Sequence, residues 1–216
     1  CGISGEPTGP GNDTLMYGFM DVNGTCDVFY KIINNQAMVH NFGYICSESP
    51  LQKFFQVYGG GNVVVNGALA TASGTLVEFV SGADIGENNG NFVFNNIQVD
   101  DNANAHFKLV DFKGPSNGCK IDFNNFNIQN DTYTASGTVL FNLWGKVALT
   151  VDKSWNIQSG TVRATKTAVA RPNILFDRCL INSGTGCMNN ASDGFYLGLR
   201  DCYGGGVELT PYTGRS

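Results

Sequence analysis

Glu78 in Leu76-Val-Glu-Phe-Val80 and Glu208 in Gly206-Val-Glu-Leu-Thr210 are carboxylates set among apolar residues. A carboxylate in such surroundings is costly unless it is paired or put to use. Two of them on facing strands are what glycoside hydrolysis needs, one as nucleophile or base and the other as acid, about 5 Å apart for a retaining reaction. Other chemistry finds less support. His40 and His106 each fall within a strand-like stretch, there is no Gly-x-Ser-x-Gly elbow, and nothing around Cys26, Cys46 or Cys119 suits a thiol nucleophile. Gly204-Gly-Gly206 lacks the lysine and the following helix that a phosphate cradle requires. Asp100, Asp101 and Asn102 supply hard oxygen donors in an expected loop, as do Asp21 and Asn23 before Gly24, and neither segment completes an EF-hand. Calcium at Asp100, Asp101 and Asn102 is therefore the one cofactor the sequence suggests.

Cys1, Cys26, Cys46, Cys119, Cys179, Cys187 and Cys202 are dispersed, with no Cys-x-x-Cys pair to hold zinc or carry out thioredoxin-type chemistry. Dispersed cysteines in a chain rich in Gly and Asn point to disulfides and an oxidising, extracellular compartment. Local spacing favours Cys179–Cys187 around a turn-rich segment and Cys26–Cys46 around a hairpin turning at Asn34-Asn35, which leaves Cys119 for Cys202. Cys1 remains as the odd thiol, available for an intermolecular link.

The residues after Cys1, Gly2 to Asp13, are rich in Gly, Ser and Pro and read as a flexible leader over 1–13, ahead of a single all-β domain over 14–216 with a subdivision suggested near 60. A chain opening on Cys and a flexible tether resembles a mature bacterial lipoprotein, which implies lipid attachment at Cys1 and a cell-surface location. Leu76-Val-Glu-Phe-Val80 resembles the nucleophile strand of the small β-jelly-roll xylanases, which implies the glycosidase role for Glu78. Those sites are lined with many aromatic rings, and this chain has two Trp and eight Tyr.

Short runs rich in Val, Ile, Phe and Thr recur throughout, divided by Asn-Gly, Ser-Gly and Asp-Lys-Ser punctuation, and no helical periodicity is sustained. Apolar residues alternate with polar ones in Lys120-Ile-Asp-Phe123 and Ala148-Leu-Thr-Val-Asp152. The pattern predicts an all-β fold, an antiparallel meander closing into a β-sandwich or barrel and supported by disulfides. One phrase is written twice: Phe94-Asn-Asn-Ile97 reappears as Phe123-Asn-Asn-Phe126, and in both the alternation slips by one residue at the Asn pair. Asn tolerates left-handed backbone, so the pair fits a bulge or a two-residue hairpin turn that keeps the apolar side chains on the core side. Val63-Val-Val-Asn-Gly67 is a fainter echo of the same unit.

Only 14% of the 216 residues are charged, the net charge is −5 and no two basic residues adjoin, so nucleic acid is a poor partner. No apolar run approaches the ~20 residues of a membrane-spanning helix. The sequence thus predicts a non-catalytic extracellular or cell-surface structural protein that associates with copies of itself. The runner-up is a secreted carbohydrate-binding module with Trp155, beside an Asp-Lys-Ser turn, stacking on a sugar of a glycan partner; a glycosidase using Glu78 and Glu208 stands third.

Overall fold

The computed structural model describes residues 3–5, 14–22, 26–80, 89–100, 108–128, 139–153, 161–165, 167, 170–179 and 195–203. They form β1 (Ile3–Gly5), β2 (Thr14–Val22), β3 (Cys26–Val65), β4 (Ala68–Val80), β5 (Asn89–Asp100), β6 (Lys108–Phe112), β7 (Ser116–Ile128), β8 (Val139–Asp152), β9 (Thr161–Thr165), β10 (Asn173–Asp177) and β11 (Tyr196–Arg200). Every pairing among these strands is parallel. The chain is a β-solenoid, and the predicted antiparallel sandwich or barrel is wrong.

The register shows how the coil is built. On one face Val63-Val-Val65 pairs with Phe92-Val-Phe94, which pairs with Ile121-Asp-Phe123, then Leu149-Thr-Val151, Ile174-Leu-Phe176 and Leu197-Gly-Leu199. A second face stacks Ala68–Thr71 on Ile97–Asp100 and Ile97–Val99 on Phe126–Ile128. A third runs through Phe55–Tyr58, Val77–Val80, Val110–Phe112, Phe141–Trp144 and Val162–Thr165. β3 is long because it passes through all three faces without a break: residues 30–32 pair with β1, 39–47 with β2, 45–58 with β4 and 60–65 with β5. Each strand therefore meets its equivalent one coil later, 29 residues on where Asn95 follows Asn66 and Asn124 follows Asn95.

The doubled phrase is one coil and the next. Asn95-Asn96 and Asn124-Asn125 are the corner between the first and second faces, and Asn96 and Asn125 have φ of 54° and 59°. The left-handed residue turns the chain through the corner, which is why the alternation slips there and why the apolar residues on both sides still point inward. Asn is among the few side chains that enter this region at modest cost. The expectation of left-handed Asn was sound; the hairpin was not, because the chain turns along its own coil and pairs with the next.

A single apolar core fills the interior. Phe94 and Phe123 stack with ring centroids 5.0 Å apart and offset partners Phe55 and Phe141 at 6.1 Å on either side. Phe79 and Phe112 stack at 4.1 Å on the third face. Equivalent aromatic residues fall in line because the strands are in register, so each ring contacts the rings of neighbouring coils. The alternation read from 120–123 and 148–152 is present: Ile121, Phe123, Leu149 and Val151 are buried and Lys120 and Ala148 are exposed. On the third face both sides are covered. Phe54, Leu76 and Leu109 are as fully buried as Phe55, Val77 and Val110, which point to the opposite side of the sheet.

Close approach combined with positive φ requires glycine at Gly90 and Gly145. A Cβ on Gly90 (φ +134°) would lie 1.9 Å from the Gly61 carbonyl oxygen, and one on Gly145 (φ +81°) would lie 2.4 Å from that of Ser116. These positions lie where the third face gives way to the first.

The disulfide support expected from the cysteines is also corrected. None of Cys46, Cys119, Cys179 and Cys202 is in a disulfide. Cys119 on β7 and Cys202 after β11 are separated by the rungs of β8 and β10, roughly 14 Å at ~4.8 Å per rung, whereas a disulfide needs Cα atoms within about 7 Å. Residues 27–45 make no hairpin, so the geometric reason for joining Cys26 to Cys46 is gone. The side chain of Cys26, and Cys187 and Cys1 altogether, lie outside the described residues. The step from dispersed cysteines to disulfides and thence to secretion loses its footing with them. Of the segment 1–13, Ile3–Gly5 pairs with Tyr30–Ile32.

Candidate functional site

Glu78 lies on the covered third face, within a ladder of polar side chains one per coil. Gln56 pairs in register with Glu78, Glu78 with Asp111 and Asp111 with Asn142. Gln56 donates through Nε2 to Glu78 Oε1 at 2.9 Å and accepts from the Tyr58 hydroxyl at 2.8 Å. Lys53 Nζ lies 2.9 Å from Glu78 Oε1. Asp111, 2% exposed, receives Lys113 Nζ at 2.7 Å and Lys108 Nζ at 3.0 Å on Oδ2 and Asn142 Nδ2 at 2.8 Å on Oδ1. Lys113 also stands 4.0 Å from Glu78 Oε2, between the two acids.

Two carboxylates on adjacent strands are the arrangement a glycosidase would use, and here both acids are held by lysines and amides. Burial pushes the Asp111 carboxyl upward, but the hydrogen bonds from Lys113, Asn142 and Lys108 outweigh it and hold the group below the ordinary carboxylate range. The ladder satisfies its own charges and explains how acids are accommodated in a covered sheet. Glu208, the partner expected for Glu78, lies outside the described residues, as does Trp155.

The corner between the first and second faces carries a second ladder, this one open to solvent. Its first position is occupied in successive coils by Asn66, Asn95, Asn124, Asp152, Asp177 and Arg200, and its second by Gly67, Asn96, Asn125, Lys153, Arg178 and Asp201. Asn96, Asn125, Lys153, Arg178 and Asp201 all have φ between 50° and 59°. In the middle coils the ladder is made of amides: Asn66 Nδ2 donates to Asn41 Oδ1 at 2.9 Å, Asn95 to Asn66 at 3.5 Å, Asn124 to Asn95 at 2.8 Å and Asn125 to Asn96 at 2.8 Å. Farther along it is made of charges. Arg178 grips Asp152 through Nε at 3.1 Å and Nη2 at 2.8 Å, and Arg200 grips Asp177 in the same two-pronged way. The Arg200 guanidinium lowers the Asp177 carboxyl below its usual value. A cleft of about 750 Å³ opens along this corner, lined by the five asparagines from Asn66 to Asn125 together with Lys153 and Arg178.

This ladder was within reach of the sequence. Val65-Asn-Gly, Phe94-Asn-Asn, Phe123-Asn-Asn, Val151-Asp-Lys, Phe176-Asp-Arg and Leu199-Arg-Asp each place one apolar residue before two polar or small ones. The literal repeat of Phe-Asn-Asn drew attention to two coils, and the change from amides to charges hid the others.

A third group lies inside the first coils. The Tyr17 and Tyr30 hydroxyls are 2.9 Å apart, and Tyr30 is 2.9 Å from His40 Nδ1. Tyr30 and His40 are both fully buried. Burial pushes the Tyr30 phenol up and the His40 imidazole down, so both stay neutral near pH 7. The Tyr30 hydroxyl gives His40 a hydrogen-bond partner within the core. His106 lies outside the described residues.

Of the calcium candidates, Asp100 ends β5, paired with Thr71, while Asp101 and Asn102 fall outside the described residues. Among the described residues no group of three or more His, Cys, Asp or Glu converges on one point, and no helix is long and apolar enough to cross a membrane. Comparison of the chain with protein-family models, with curated proteins and with solved structures returned no match.

Proposed function

We propose that the protein is a structural solenoid that joins copies of itself end to end. The observation that carries this is the distribution of exposed large apolar side chains. Among the described residues these are Met16, Phe19, Ile33 and Tyr44 in the first two coils and Tyr196, Leu199 and Tyr203 in the last. Among the described residues, no large apolar side chain of the coils between them is exposed.

The terminal strands give the same direction. β1 and β2 pair only with β3, and β11 pairs only with β10, among the described residues. A strand edge with exposed apolar side chains is a template for another strand. The two ends are sections through one three-sided coil, so a second copy set on either end continues the ladders already running inside the molecule. Because the ends differ, the contact is heterologous, and such contacts generate open filaments unless a rotation closes them.

Light scattering on size-separated protein tests this. Wild-type protein is expected to form a concentration-dependent series of oligomers. Combined Tyr196→Ser, Leu199→Ser and Tyr203→Ser substitutions are expected to leave a monomer. Phe19→Ser with Met16→Ser at the other end should do likewise, and mixing the two variants should restore dimers alone, since each retains one intact end. A monodisperse wild-type monomer at every concentration would overturn the reading.

A further inference from the structure

We infer that the corner cleft is a binding site for an extended, polyhydroxylated anion, an oligosaccharide bearing carboxylate or sulfate groups, with an acidic group seated at Lys153. The site is independent of the end coils.

Three features of the cleft select this chemistry. Its floor is a row of amides, each able to donate and accept, and the row is not saturated by its own ladder. Among the described residues neither Asn124 Oδ1 nor Asn125 Oδ1 receives a hydrogen bond, and each of these side chains gives only one N–H to its neighbour. Amide groups at regular intervals match a ligand that repeats donors and acceptors along its length. The amide row from Asn66 to Asn124 spans about 10 Å at ~4.8 Å per rung, longer than a single small anion, and a volume of about 750 Å³ is in the range of ordinary ligand sites.

The second feature is charge. The row ends at Lys153, whose ammonium forms no ion pair among the described residues, and at Arg178, whose Nη1 is left over from its two bonds to Asp152. Arg178 already has Asp152 as its counter-charge, so the ammonium of Lys153 is the cationic donor to which an acidic group of the ligand would add a direct ion pair. The third is the lining itself. Among the described residues no aromatic ring borders the cleft, so binding to this lining rests on hydroxyl hydrogen bonds and one ionic contact.

The coils supply their own controls. Lys153→Asn places at the left-handed corner the residue that already holds it at 96 and 125, and Asn124→Asp places at the first position the residue found at 152. Calorimetric titration at low salt with a mannuronate hexamer is expected to show saturable binding, weakened at least tenfold by Lys153→Asn and by Asn124→Asp, with thermal unfolding unchanged. Cellohexaose, neutral and of equal length, should bind the wild type no better than the hexamer binds the Lys153 variant. Absence of saturable binding to the mannuronate hexamer, or equal binding by wild type and both variants, would overturn the inference. So would sulfate binding as tightly as the hexamer, which would mark a simple anion site, or a single-stranded RNA oligomer displacing it.

Discussion

Asp111 is tolerated at a nearly covered position because three donors meet it, and its removal would strand two lysines over an apolar sheet. Asp111→Ala is expected to lower the unfolding free energy by about 2 kcal/mol, less than for a fully buried pair because both lysines reach solvent; urea denaturation at pH 7 measures it. Acid dependence follows from the same residue scale. Asp111 and Asp177 titrate below their ordinary value of 3.8 in the folded chain, so the stability they contribute is present above that value and lost as pH falls through the lower, folded one. His40 titrates below 6.5 in the folded chain. Between the two values the unfolded chain holds more protons, so the contribution of His40 is present above about pH 6.5 and declines as pH falls below it. Unfolding free energy followed against pH should therefore fall in two stages, and His40→Phe should remove the first stage while keeping the second.

At the scale of elements, the corner sets the coil. Asn125→Gly should be nearly neutral, because glycine enters the left-handed region freely, whereas Asn125→Val should cost roughly 1–3 kcal/mol. Gly90→Ala should cost more than either, since its Cβ would meet the Gly61 carbonyl with no room to move; comparing denaturant midpoints of the three variants orders them. These positions also mark how far the sequence was legible. Strand content, inward alternation and the left-handed Asn were readable because they depend on local residue type. Direction was not. A two-residue polar turn after an alternating run looks the same whether the chain doubles back or rounds a corner, and parallel coils carry no separate signature in the alternation. Period was the available signal, and it is constant at 29 only from Asn66 to Asn124; Asp177 follows Asp152, and Arg200 follows Asp177, at shorter intervals. Glu78 illustrates the same limit within the site: an acid in an apolar strand was correctly noticed, but its lysine and glutamine partners come from β3, where nothing local announces them.

At the scale of the molecule, every described strand is paired with another coil and the contacts are overwhelmingly between residues distant in sequence, so each coil is stable only through its neighbours. Among the described residues the outermost strands pair on one side only, and the first two coils and the last are where large apolar side chains are exposed. In the proposed assembly a second copy would supply the missing neighbour, and head-to-tail repetition of the contact would build a filament whose strands lie across its axis. Among the described residues eight rungs run along the corner, from Gly18 and Gly43 through the asparagines to Arg200, and at about 4.8 Å each they span an axial length of about 38 Å. The most direct test is cryo-electron microscopy of the concentrated wild-type protein. End-to-end association predicts filaments with an axial subunit repeat near 40 Å and strand layers about 4.8 Å apart running through the junctions without interruption. Closed dimers, side-by-side sheets or isolated monomers at the same concentration would contradict it.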